Sequence, residues 1–486
     1  MAYKLRSYQE ECVKSISSYI NSDRNDPVLV IGPVGCGKSL LIAEAARLMG
    51  DKTLVLQPSK ELLQQNYDKL TSYGIPATIY SASCGKKELS NMIYATLGSV
   101  KKVIGQLKEM GIRNVLIDEA HAGYSPEDGS EFMTFMNELK PKKVIGFTAT
   151  PCRLKTMSIG QVSYSQLNFI TRMRPVYFKS LIHVIQVEEM IRQGFWTPLK
   201  YEAWDFNGDA LKLNSNGSEY TAESISEAVR KNGLNNLILR RLMVLKDVCR
   251  SILVFMDSVE SCNTAAEWMN AKICAGMAEV VHGGTPKRQR EAIVERFKSG
   301  GTQVVFNYSA LGTGFDHPGL DCVVFGRPTF SFSTWYQAIG RAVRIKDGKD
   351  SAMVVDCCDN SSRFGDIRGL SIENYKGYGW GMFIGDKLIT NIPMGDKVTK
   401  TDLDIKAAKK DRRRGLAQGV TAAPIPGRPP HPLGSTVMAF GKYSGWMLHS
   451  IPVSYFKFIN ETFDWDNNRN KEIKEYIDFL IKNNRL

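Results

Sequence analysis

No apolar run in this chain approaches the ~20 residues that cross a bilayer. The longest, such as "VLVIG" and "VVDCC", have the length of strands, so no membrane span or membrane partner is expected. The opening "MAYKLRSYQEECV" lacks the apolar block of a secretory signal. Histidine is scarce, at six in 486 residues, and the ten cysteines contain no C-x-x-C pair and no His/Cys cluster. A structural zinc and a disulfide framework are therefore not expected. The thiols read as reduced, in a cytoplasmic protein, or in the host cytoplasm if the chain is phage-encoded. Acidic residues are the minority, 50 against 63 basic, and the resulting +13 points to a polyanionic partner. What remains, 43% apolar and 23% charged, is the composition of a globular protein, and the length predicts two or three domains.

The densest local signal is "PVLVIGPVGCGKSLLIAEAARLM". It reads as a buried strand, a turn, and an amphipathic helix from about Lys38. The turn, Gly32-Pro-Val-Gly-Cys-Gly-Lys38-Ser39, fits G-x-x-x-x-G-K-[ST] in full. Gly32, Gly35 and Gly37 let the backbone wrap tightly and aim successive N–H groups at phosphate oxygens. The helix N-terminus adds positive potential there. Lys38 is placed to reach β- and γ-phosphates and Ser39 to ligate Mg²⁺, so ATP and Mg²⁺ are the expected cofactors.

Such a turn needs a second metal carboxylate and a group that activates water. "NVLIDEAH" supplies both at the end of another apolar strand: Asp118 for the metal and Glu119 for the water. Alone, it is also how an ordinary strand ends. "VIGFTATP" is a third strand, ending in short hydroxyls that can bridge to a neighbouring element.

In this order, "GPVGCGKS", "DEAH" and "TATP" resemble the first motor domain of superfamily 2 helicases. "LRSYQEECV" is similar to that family's adenine-reading segment, which implies that Gln9 bonds the base and Arg6 supports the site. "LVLQPSKELLQQ" and "YATLGSV" resemble the next two motifs, which line the nucleic-acid track. They imply Ser59, Lys60, Thr96 and Ser99 as backbone contacts, and short donors at strand ends suit that task. The second half repeats strand–helix alternation without a P-loop, as a parallel sheet requires. There, "LGTGFD" and "QAIGRAVR" resemble the later helicase motifs, and His282 with Gly283 resembles another position beside nucleic acid.

"YQAIGRAVR" poses its own question. If helical, it places Gln337, Arg341 and Arg344 at i, i+4 and i+7 on one face, an array suited to phosphate with no phosphate turn of its own. The resemblance answers that the γ-phosphate is held by the first domain. Arg341 and Arg344 then act across a cleft as arginine fingers, with Gln337, Gly314 and Asp316 at the same cleft.

Two stretches depart from a minimal motor. After "TATP", Tyr164, Phe169, Tyr177 and Phe178 interleave with Arg172, Arg174 and Lys179. That fits stacking and phosphate contact, or equally an extra helical layer packed on the motor. The stretch "CCDNSSRFGDIRGLSIENYKGYGWGMFIGDKLITN" reads as hairpins completing the second domain.

The expected architecture is α/β: two tandem RecA-like domains with parallel sheets, 1–190 with the post-"TATP" extension and 191–395. A basic, proline-rich linker (396–432) and a small C-terminal module (433–486) follow. The module's "FGKYSGW" resembles a core found in some phage and bacterial nucleases, and it can serve nucleic-acid binding or protein docking. Among superfamily 2 members the chain most resembles phage and bacterial DNA helicases that migrate branches in replication and recombination. This implies a monomeric ATPase acting on single-stranded, forked or branched DNA. The alternatives are an RNA helicase, or a DNA-stimulated ATPase subunit of a restriction or nuclease complex.

Overall fold

The computed structural model describes residues 4–122, 129–159, 162–215, 217–311, 315–375 and 378–407. In the C-terminal part it describes chiefly 447–462 and 470–483. Gly314 and the "FGKYSGW" segment (440–446) lie outside the described residues.

Two parallel sheets dominate the larger unit, which comprises residues 1–375 and 379–399. The first runs in the order Ser180–Val184, Val28–Ile31, Lys143–Thr148, Asn114–Ile117, Thr53–Leu56, Met92–Ala95, Thr78–Ser81, Lys86–Lys87. Only the last strand is antiparallel to its neighbour. The second runs Leu199–Ala203, Ala352–Asp356, Cys322–Phe325, Ile252–Phe255, Val304–Tyr308, Ala278–His282, parallel throughout. Central strands such as Val28–Ile31 and Cys322–Phe325 are buried at every position. Helices on both faces leave neither side of these central strands facing water, and hence their continuous apolar runs. These are the two RecA-like domains that the alternating pattern led us to expect.

The segment after "TATP" forms neither a helical layer nor a loop. Cys152–Ile159 and Val162–Phe169 make a long antiparallel hairpin, and Ser180–Val184 joins the first sheet beside Val28–Ile31. Its aromatics are largely structural. Phe169 and Phe178 are fully buried, and Tyr177 packs edge-on against Phe132 and Phe178.

The glycine- and aromatic-rich stretch is indeed a set of hairpins, Leu370–Tyr375, Gly379–Ile384, Lys387–Leu388 and Val398–Thr399, but these form a third sheet apart from the second. It is bonded to the first domain's hairpin: Asn391 N donates to Leu167 O at 2.7 Å and Met394 N to Ser165 O at 2.8 Å. The Gln186 amide donates to Ile372 O (2.8 Å) and accepts from Ile372 N (3.1 Å). The expected linker begins with regular structure. Val398–Thr399 is a strand, residues 400–407 are helical, and 408–432 lie outside the described residues.

A second unit gathers residues 376–378 and 400–486. Its helices Val453–Thr462 and Lys471–Lys482 enclose a separate small core of Leu448, Ile451, Phe456, Ile459, Ile473, Tyr476, Ile477 and Leu480. Among the described residues no helix is long and apolar enough to cross a membrane.

Candidate active site

A cavity of about 510 Å³ opens where the C-terminal ends of the first sheet meet the second domain's helix Phe332–Ala342. Lys4, Arg6, Gln9, residues 34–40, Asp118, Glu119, Phe195, Asp316, Gln337, Arg341 and Arg344 all line it. Residues more than 300 positions apart in sequence thus face one space, as ligand sites at strand C-termini of α/β sheets require.

The floor is the turn after Val28–Ile31. Gly32 N donates to Thr148 O at 3.1 Å, fixing the turn to the neighbouring strand. Gly37 has φ +80°, and a Cβ there would stand 2.6 Å from Gln9 Nε2, so only glycine fits. Helix Lys38–Met49 starts immediately after it. The backbone N–H groups of Gly35, Gly37 and Ser39 donate to no acceptor among the described residues, which is what an anion cradle at a helix N-terminus needs.

Lys38 Nζ stands 3.6 Å from Glu119 Oε1, both side chains largely buried. Burial works to lower the Lys38 pKa, but Glu119, Cys36 and Asp118 outweigh it and hold the ammonium above its ordinary value. Asp118 is buried and accepts from Asn66 Nδ2 at 2.8 Å. Burial, then the Glu119 carboxylate beside it, pushes its own carboxyl up. Two adjacent buried carboxyls with a lysine and a serine hydroxyl form a donor set that fits Mg²⁺ and phosphate.

Gln9 and Arg6 hold the rim. Gln9 Nε2 donates to Cys36 O at 2.9 Å, and Tyr8 OH donates to the same carbonyl at 3.1 Å. The Arg6 guanidinium lies 4.4 Å over the Phe195 ring. Sequence reading missed Phe195 and its neighbour Trp196, whose Nε1 donates to Val34 O at 2.9 Å. Both lie in "GFWTP", in the connection between domains, where no motif marks them.

His121 was also missed, though it closes "DEAH". Its Nδ1 lies 2.8 Å from Thr148 Oγ1 and 3.4 Å from Glu119 Oε2, and its Nε2 lies 3.3 Å from Ser333 Oγ. Burial lowers its pKa, with the Glu119 carboxylate pulling the other way. The ring thus bonds the first domain's Thr148 on one side and the second domain's Ser333 on the other, beside Glu119. If the site hydrolyses ATP, as the resemblance implies, His121→Ala should lower the ratio of nucleic-acid-stimulated to unstimulated turnover about tenfold, within the usual range of coupling between sites. A steady-state ATPase titration with and without nucleic acid measures it.

The second domain's contribution differs from the expected face. The helix ends at Ala342, with Val343 as its cap, so Gln337 and Arg341 share it and Arg344 lies beyond. Gly340 allows the approach: a Cβ there would meet Val34 Cβ at 2.5 Å. Arg341 Nη1 donates to Phe315 O at 2.8 Å. Burial pulls its guanidinium down to about 10, with Glu119 across the cleft pulling the other way. Arg344 forms an ion pair with Asp316 of its own domain.

The expected track residues stand at or after the C-terminal ends of strands, with Lys60 opening a helix and Ser99 inside the short helix Leu97–Val100. Ser59 caps helix Lys60–Thr71, accepting from Leu62 N. Thr96 Oγ1 and Ser99 Oγ lie 3.0 Å apart, and Ser99 Oγ accepts from Ala82 N. His282 ends its strand, and Arg290 donates to the His282 and Gly283 carbonyls. None of these lines the cavity.

Comparison with known proteins gives this geometry a class. Residues 2–153 match the family described as type III restriction enzyme, res subunit, and residues 235–346 match the helicase conserved C-terminal domain. The chain is 24% identical over 378 residues to the putative ATP-dependent helicase IRC3 of Saccharomyces cerevisiae, covering 74% of this chain and 52% of that one. It is 24% identical to a 51.5 kDa protein of a Lactococcus phage, covering 68% of this chain and 65% of that one. The chain thus spans between half and two thirds of these relatives. In fold it is similar to the ATP-dependent type ISP restriction-modification enzyme LlaBIII bound to DNA, with a TM-score of 0.55, 17% identity, and coverage of 74% of this chain and 28% of that one. The two family matches thus fall one on each parallel-sheet domain, the res-subunit match on the first and the helicase C-terminal match on the second.

Proposed function

We propose that the chain is an ATP-driven DNA translocase that remodels forked or branched DNA. The observation that carries the reading is the single cavity in which Lys38 and Glu119 of the first sheet face Arg341 of the second. Such a site is complete only when the two domains are together, so hydrolysis and domain closure are one event. Arg6, Gln9 and Phe195 would take the base, and the free N–H groups of the Gly32–Ser39 turn would take the phosphates. Ser39 and Asp118 would hold Mg²⁺, which supplies neutralisation of β- and γ-phosphate charge. Glu119 accepts the proton of the attacking water, and Arg341 meets the charge that develops on the γ-phosphoryl oxygens. DNA is favoured over RNA by the restriction-enzyme match over residues 2–153. The same match favours a second reading, a motor subunit of a restriction or nuclease complex that translocates without separating strands.

ATP turnover titrated with single-stranded, duplex and forked DNA and with RNA of equal length tests this, alongside strand displacement. Fork-stimulated turnover with displacement is expected. Fork stimulation without displacement supports the subunit reading, and stimulation by RNA alone overturns the assignment to DNA.

A further inference from the structure

Helix Phe332–Ala342 carries Arg341 in its last turn and releases Arg344 just past its cap. A helix end leaves its last carbonyls without intrahelical partners, and a free end there would let both guanidiniums drift. Instead each carbonyl from 342 to 344 is taken. Lys349 Nζ donates to Ala342 O at 2.7 Å and to Arg344 O at 2.8 Å. Thr197 N donates to Val343 O at 2.8 Å, and Thr197 Oγ1 to Arg344 O at 2.8 Å.

Lys349 does a second thing. Its third donor reaches Pro318 O at 3.1 Å, on the same short loop whose Phe315 O accepts from Arg341 and whose Asp316 pairs with Arg344. The loop and the helix end are thus joined at three points, two by the arginines themselves and one by Lys349. An ammonium between three carbonyls complements both the helix C-terminus and the loop. We propose that Lys349 is a positioning residue for ATP hydrolysis: its ammonium locks the end of the Arg341 helix to the 315–318 loop and so sets where both arginines stand. This rests on the ATPase reading above.

The surroundings give the clamp a pH signature. Burial pulls the Lys349 ammonium down, to about 8; Asp321 opposes this, and Arg344 and Lys346 add to it. His317, on the same loop, feels Lys349 in turn. Loss of the proton as pH rises leaves a lone pair among carbonyls, so the clamp weakens on the alkaline side. An arginine at this position stays charged throughout.

The test compares wild type, Lys349→Met and Lys349→Arg in the full chain, measuring kcat and KM for ATP with saturating DNA across pH, DNA affinity without nucleotide, and thermal unfolding. Lys349→Met should lose about 10²-fold in kcat, the scale of a misplacement near 1 Å, with KM changed by no more than about threefold. DNA affinity should be unchanged. Lys349→Arg should restore most of the loss and keep its turnover to higher pH than wild type. A Lys349→Met kcat within about twofold of wild type, or a loss that lysine-to-arginine exchange does not repair, overturns the inference while the ATPase reading stands. A wild-type chain without DNA-stimulated turnover overturns that reading, and the inference with it.

Discussion

Glu119→Gln should stop turnover while leaving nucleotide and DNA bound. The exchange keeps the size of the side chain and an oxygen that can still accept a hydrogen bond. On the proposed mechanism it removes the charge that takes a proton from water, a change worth about 10²–10⁴-fold for a positioned general base. Two consequences set this variant apart from simple damage. The Asp118 carboxyl is raised partly by Glu119, so without that charge Asp118 stays ionised more readily and metal binding should strengthen. The phosphates also lose a negative neighbour, so ATP should bind at least as tightly as in wild type. The expected species is an ATP-bound, DNA-bound protein with little product release. Isothermal titration for affinity and a single-turnover ATPase assay on the same preparation separate binding from chemistry. Turnover within about threefold of wild type would show that another group activates the water.

The half of the site that was legible in sequence is the half made by short continuous segments. The Gly32–Ser39 turn builds its own cradle, because each glycine and the following helix lie within eight residues. Asp118 and Glu119 could be assigned for the same reason: a strand end presents its next two residues together. What stayed hidden is held by distant partners. Ser333, whose hydroxyl meets His121 Nε2, is 212 residues away, and Thr197, which holds the backbone beyond Val343, is 147 residues from Arg344. Periodicity alone extended the Arg341 helix to Arg344. The real end is imposed by Thr197 and Lys349 taking carbonyls that a longer helix would have bonded itself. Composition misled in the hairpin after "TATP". Aromatics alternating with arginines suit nucleic-acid stacking, yet Phe169 and Phe178 are buried in the core, and only tertiary packing distinguishes a stacking platform from a half-buried strand. The two parallel sheets were the easier inference, since all-apolar strands alternating with amphipathic helices admit few other arrangements.

The two arginines should separate in kinetics, with Arg341→Lys the more damaging. The sequence pattern treats them alike, but their surroundings do not. Arg341 senses Glu119 across the cleft, and Lys38 senses Arg341 in return. Its guanidinium is therefore inside the field of the proposed catalytic groups, Lys38 and Glu119. Arg344 is paired with Asp316, half exposed on the cleft edge, and burial is the one influence on its charge that stands out. Lysine at 341 keeps a positive charge but loses the planar fork, and cannot both donate to Phe315 O and meet phosphate oxygens in the same geometry. Arginine fingers contribute about 10³-fold or more to turnover, so Arg341→Lys should lose on that order in kcat. ATP affinity should move by no more than about threefold, because on the proposed reading the first domain's turn would supply most of the phosphate contacts. Arg344→Lys should lose about tenfold, and Asp316→Asn should produce a similar loss with little further cost when the two are combined, as expected of partners in one pair. Measuring kcat, KM and ATP affinity for the three single variants and the double variant decides it. An Arg344→Lys defect equal to or larger than that of Arg341→Lys would mean that Arg344 leaves Asp316 when ATP is bound and is itself the principal finger.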